Sequence, residues 1–141
     1  LRVELEMALL EGAATVEELP QLWRARMREY LGVEPPTDAL GVLQDVHWFS
    51  GGIGGVFQGY TLGNVLSAQF YAAARAANPD LDGDIARGEF GRLHGWLREH
   101  VYAPGRTFTP NELVQRATGQ EMTAAPYLAY LRGKYTDLYG L

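Results

Sequence analysis

Apolar residues recur along this chain at intervals of three and four, the spacing of a single helix face. Leu1, Leu5, Ala8 and Leu9 form the first such face, with Glu4, Glu6 and Glu11 largely elsewhere. Thr15-Val-Glu-Glu18 has capping-box spacing and predicts the start of a second helix there. Leu22, Trp23, Met27, Tyr30 and Leu31 continue it, Pro20 is tolerable because it falls in about the first turn, and Gly32 and Pro35-Pro36 end it. A short helix or turn is expected from Thr37 towards Leu43. Residues 48–59 hold five glycines in twelve positions, which no stable helix interior accepts, so they predict a loop with room for a short hairpin. Helical spacing returns from Tyr60 to Ala77 through Leu62, Val65, Leu66, Gln69, Phe70 and Ala73, and Asn78-Pro79 closes it. Phe90, Leu93, Leu97 and Val101 mark a further helix. Thr109-Pro-Asn-Glu112 joins a capping box to a first-turn proline and starts another, which ends at Gly119. Pro126 opens a last helix through Tyr127, Leu128, Leu131, Tyr135 and Leu138. The expected fold is all-α with one glycine-rich loop at 48–59, and residues 1–141 read as a single helical region.

Composition narrows the function classes. With 141 residues, 47% hydrophobic and 21% charged, the chain is long enough for a real core and too apolar for disorder. A net charge of −5 argues against nucleic acid, whose affinity comes largely from clustered cations at phosphates. No apolar run approaches the roughly 20 residues of a bilayer span, so no membrane role is expected. The absence of cysteine excludes disulfides and thiolate metal sites. No signal-peptide pattern is present, which fits a cytoplasmic protein. The chain opens on Leu1 in mid-pattern and reads as part of something longer.

Several site motifs fail on inspection. Gly54 and Gly59 have the spacing of a phosphate-binding loop, but Tyr60 stands where its lysine must be. Asp80-Leu-Asp82-Gly83-Asp84 has its glycine too early for a calcium loop and lacks the bidentate glutamate. His47, His94 and His100 contain no i, i+4 pair, so no metal ligands are assigned within this chain. Ser50 and Ser67 lie outside any nucleophile elbow.

What remains is Gly41-Val-Leu-Gln44-Asp45-Val-His47-Trp48, with an amide, a carboxylate, an imidazole and an indole N–H inside five positions. A carboxylate beside an imidazole can fix its tautomer and raise its basicity. The plainer reading is that Gln44 and Asp45 cap backbone while His47 and Trp48 pack.

The eight residues match the GxxQDxHW signature of the zinc metallocarboxypeptidases similar to the Taq enzyme. Leu1-Arg2-Val3-Glu4-Leu5-Glu6 resembles that family's LRxELE segment, Leu19-Pro20 with Trp23 its LPxxW. Tyr60-Thr-Leu-Gly63-Asn64 and Ala68-Gln69-Phe70 resemble its helix after the glycine loop. The resemblance covers essentially the whole chain and implies the C-terminal portion of a helical metallopeptidase that removes single residues from peptide C-termini with broad preference. It implies one zinc ion in the full-length parent, held by a His-Glu-x-x-His helix and a later glutamate, none of it in this chain, which then supplies a wall of the substrate groove. Its partners would be the peptide C-terminus and either the remainder of its own protein or a second copy, since relatives are commonly homodimers. On their own the isolated 141 residues are expected to be inactive. In such chemistry the oxyanion needs a donor beyond the metal, for which His47 and Tyr60 are the catalytic candidates. Gln44, Asp45 and Trp48, with the backbone N–H groups of Gly54 and Gly55, are the candidates for substrate binding. Where many relatives have Phe-Gly-Tyr-Phe-Pro, this chain has Ile53-Gly54-Gly55-Val56-Phe57-Gln58-Gly59, one residue longer and without the tyrosine. That departure is the one feature favouring an alternative, a non-catalytic helical module of the same fold. The apolar faces expected to meet a partner include Leu5, Leu9, Tyr127 and Tyr135.

Overall fold

The computed structural model describes residues 1–49, 54 and 57–140. Among them are seven α-helices and no strand: α1 (Arg2–Leu10), α2 (Leu19–Leu31), α3 (Phe57–Ala77), α4 (Leu81–Ala86), α5 (Gly91–Leu97), α6 (Pro110–Thr118) and α7 (Ala125–Tyr139). The all-α expectation holds. The chain divides into two compact units, Leu1–Tyr60 and Thr61–Leu141.

In the first unit, α1 and α2 enclose a core of Leu5, Leu19, Trp23 and Val42, against which Leu9, Leu22, Met27 and Trp48 pack. Leu5 is 3% exposed. It therefore belongs to this unit's own core, contributing about 2 kcal/mol of burial, and is not the partner-facing residue the sequence suggested. The Thr15–Glu18 box forms its hydrogen bonds, with Thr15 N–H and Oγ1 donating to Glu18 Oε2 at 2.9 and 3.0 Å. Helix nevertheless begins only at Leu19. Pro20 has no N–H to offer the Val16 carbonyl, so the first turn cannot close in α geometry; Leu19 N–H takes that carbonyl instead at 3.2 Å. Gly32, at φ 67°, stops α2 in the left-handed conformation that glycine adopts without a Cβ penalty.

The second unit has its own core of Ala74, Leu81 and Trp96, joined by Phe70, Tyr71, Leu93 and Val101. Helix α3 starts at Phe57, three residues before the expected Tyr60. Buried Phe57 anchors that first turn, where Gly59 costs less than in a helix interior. The hairpin considered for residues 48–59 falls largely outside the described residues. Helix α4 has no counterpart in the sequence reading: at six residues it shows one i, i+4 pair, Leu81 and Ile85, within an acidic stretch. Its acids are matched by protein groups. Asp82 receives the Tyr71 hydroxyl and the Arg75 guanidinium, both at 2.6 Å. Buried Asp84 receives Arg87 at 2.6 Å and Arg92 at 3.1 Å. Helix α5 widens into a π-turn over Arg98–Tyr102. Helix α6 carries the full capping box predicted at Thr109 and Glu112.

Candidate functional site

The Gly41–Trp48 segment folds as two short 3₁₀ turns, Val42–Gln44 and Val46–Trp48, joined by Asp45 in an extended conformation. Its position follows from three local constraints. Val42 is buried in the core of the first unit. Arg24 of α2 holds Asp38, whose carbonyl accepts the Leu43 N–H at 3.0 Å. Gly41 is packed so closely that a Cβ would lie 3.1 Å from both the Pro35 side chain and the Thr37 carbonyl oxygen.

Asp45 is 8% exposed and serves two roles. Its Oδ1 caps the second turn by accepting the His47 N–H at 3.1 Å, and it also meets His47 Nδ1 at 2.6 Å. Burial alone would raise this carboxyl group's pKa. Hydrogen bonds from the His47 ring, Arg2 and the His47 amide, with the charge of Arg2, outweigh burial and hold it below the usual carboxylate range. Asp45 is therefore an ionised acceptor, and Nδ1 must be the donor in that contact. In the neutral imidazole Nε2 is then the acceptor, and it faces the Tyr60 hydroxyl at 3.0 Å. Carboxylate, imidazole and phenol form one hydrogen-bonded line.

Aromatic packing fixes the ring planes. The His47 ring meets Tyr60 edge-on at 5.5 Å between centroids and lies 5.7 Å from Phe57. Trp48 packs on Phe57 at 4.9 Å and edge-to-face on Trp23 at 6.5 Å. Tyr60, at the outer end of the line, is 62% exposed.

The structure thus joins Asp45, His47 and Tyr60 directly and sets Trp48 behind them as packing. Gln44 is exposed on the first 3₁₀ turn. Gly54 has φ 85°, and a Cβ there would come within 3.1 Å of Leu10; Gly55 lies outside the described residues. The plainer reading of Asp45 as a cap is also correct, because the same oxygen caps the backbone and orients the ring. Arg2, not among the residues singled out from the sequence, completes the line through its Nε on Asp45 Oδ2. Only three dimensions bring together residues 43 positions apart.

Among the described residues no three metal-ligating side chains gather, and no helix is long and apolar enough to cross a membrane.

A family model described as carboxypeptidase Taq (M32) metallopeptidase matches residues 1–135. Thermostable carboxypeptidase 1 of Thermus thermophilus is 46% identical over 140 residues, covering 99% of this chain and 27% of that protein. Carboxypeptidase 1 of Bacillus subtilis is 40% identical, covering 99% of this chain and 28% of that protein. The crystal structure of an M32 carboxypeptidase from Deinococcus radiodurans superposes with a TM-score of 0.92 at 61% identity, over 99% of this chain and 28% of that one. The chain spans a little over a quarter of the length of these relatives.

Proposed function

Because the chain belongs to the carboxypeptidase Taq (M32) metallopeptidase family, we propose that it forms part of a broad-specificity, cytoplasmic zinc carboxypeptidase and supplies one wall of its substrate groove. The observation that carries this reading is the Asp45–His47–Tyr60 line, ending in an exposed phenol. On this reading the zinc ligands lie in the remainder of the parent protein. The substrate is the C-terminus of a peptide. The structural partner is the rest of the parent, a second copy, or both.

Hydrolysis of a peptide bond places negative charge on the former carbonyl oxygen, and a donor fixed beside that oxygen lowers the barrier. Tyr60 has a single O–H. While His47 is neutral, Nε2 accepts that proton and the phenol is engaged internally. As negative charge develops, the same O–H turns from Nε2 to the substrate oxygen, so His47 sets where the phenol stands and the phenol supplies the donor. Asp45 holds the imidazole in the tautomer that this requires. The three residues thus form a donor held in place before the substrate arrives.

The test is steady-state kinetics on a blocked dipeptide with the full-length enzyme that contains this chain. His47→Ala is expected to lower kcat by on the order of 10²–10³ while KM changes little, since the interaction strengthens only in the transition state. A near-normal kcat would make His47 a packing residue, the plainer reading of the Gly41–Trp48 segment.

A further inference from the structure

Arg2 opens α1 and is held from two directions. Its Nε donates to Asp45 Oδ2, and its guanidinium carbon lies 5.2 Å from the centroid of the Trp23 ring. A planar cation can stack on an indole and aim an edge N–H at a carboxylate at once, which a lysine ammonium cannot. An exposed ion pair contributes only about 0–1 kcal/mol. Here the arginine side chain is 43% exposed, but its acceptor is 8% exposed. The contact therefore matters chiefly for Asp45. Oδ1 is already occupied by the His47 amide and ring, and a carboxylate held by one oxygen can turn about its terminal torsion or take up a proton on the other. Arg2 occupies that other oxygen.

We infer that Arg2 is a positioning residue for the His47–Tyr60 pair: it locks Asp45 as a bidentate, ionised acceptor and thereby decides which nitrogen of His47 carries the proton. With Arg2 present, the ring is confined to the Nδ1–H tautomer and Nε2 stays aimed at Tyr60. Without it, Asp45 is free to rotate or protonate, the Nε2–H tautomer becomes populated, and the phenol loses its acceptor. The catalytic consequence rests on the function proposed above; the tautomer consequence does not.

The full-length enzyme labelled with ring-¹⁵N histidine tests this, with the His47 signals assigned by their loss in His47→Gln. Wild type is expected to show a protonated Nδ1 and an unprotonated Nε2 at neutral pH. Arg2→Gln should mix the tautomers and lower kcat roughly tenfold to a hundredfold with little change in KM. Arg2→Lys keeps the charge and stem and should restore the tautomer only in part. Adding Arg2→Gln to Asp45→Asn should change nothing further, because both act through one carboxylate. The Trp23 indole N–H resonance reports whether the first unit remains folded. If Arg2→Gln perturbs it, the Arg2→Lys spectrum decides. A single Nδ1–H tautomer in a folded Arg2 variant that has lost the Asp45 contact overturns the inference. A normal tautomer response alongside a catalytically silent His47→Ala would instead overturn the proposed function and leave the positioning role standing.

Discussion

Asp45 shows how one side chain can satisfy a structural and a chemical demand together. Its depressed pKa means that the folded state binds its proton less tightly than the unfolded chain does. Ionised Asp45 therefore stabilises the fold at pH above the unfolded value of 3.8, and that contribution disappears as pH falls through the lower folded value. Asp45→Asn should accordingly be less stable than wild type near neutrality, with the gap closing below pH 3.8, as urea titrations at a series of pH values would show. The carboxylate–imidazole contact was legible in the sequence, because the two residues sit two apart in a segment too polar for a core. The phenol was legible only as the nearest candidate. Arg2 was visible as part of a motif but had no role there, since its contact with Asp45 depends on how α1 packs against α2.

At the scale of elements, the helices that matched their sequence signals are those whose ends are set locally. The capping box at Thr109 and the left-handed glycines at Gly32 and Gly119 needed no tertiary information. Elements shaped by packing were misread: α3 extends back to Phe57 because that ring is buried, and α4 is too short for its period to show. Gln69 illustrates the same limit. By spacing it belongs to an apolar face, and it is indeed 3% exposed. Its amide, however, ties α3 to the segment between α6 and α7. Nε2 donates to Thr118 Oγ1 at 3.1 Å and the Glu121 carbonyl at 2.9 Å, and Oε1 accepts the Thr123 N–H at 3.0 Å. Gln69→Leu keeps the bulk but strands the Thr123 N–H and the Glu121 carbonyl. It should cost about 1–3 kcal/mol in chemical denaturation, chiefly from leaving the half-buried Thr123 N–H without its acceptor. Gln69→Glu should not rescue it, because a carboxylate removes both donors.

For the whole molecule, the decisive fact is that the chain matches nearly all of itself to a little over a quarter of its relatives. The second unit has a groove of about 1020 Å³, lined by Leu66, Phe70, Leu93, Leu97, Tyr127 and Tyr130. Helix α7 contains no buried residue, and Leu128, Tyr130, Tyr135, Leu138 and Tyr139 are exposed on it. Apolar surface of this kind on soluble proteins usually serves as an interface. Sedimentation of the isolated chain at micromolar concentration should therefore show self-association, with a closed dimer as the principal species. A sharp monomer boundary would mean that this surface needs no cover. The presence of two separate cores has an optical consequence. Trp23 and Trp48 belong to the first unit and Trp96 to the second, so each unit contains its own fluorophore. A single melting curve of total emission averages two signals and yields one free energy only if both units unfold together. Replacing Trp96 with phenylalanine isolates the emission of the unit that holds Asp45 and His47, turning the neighbours of the hydrogen-bonded line into its own spectroscopic gauge.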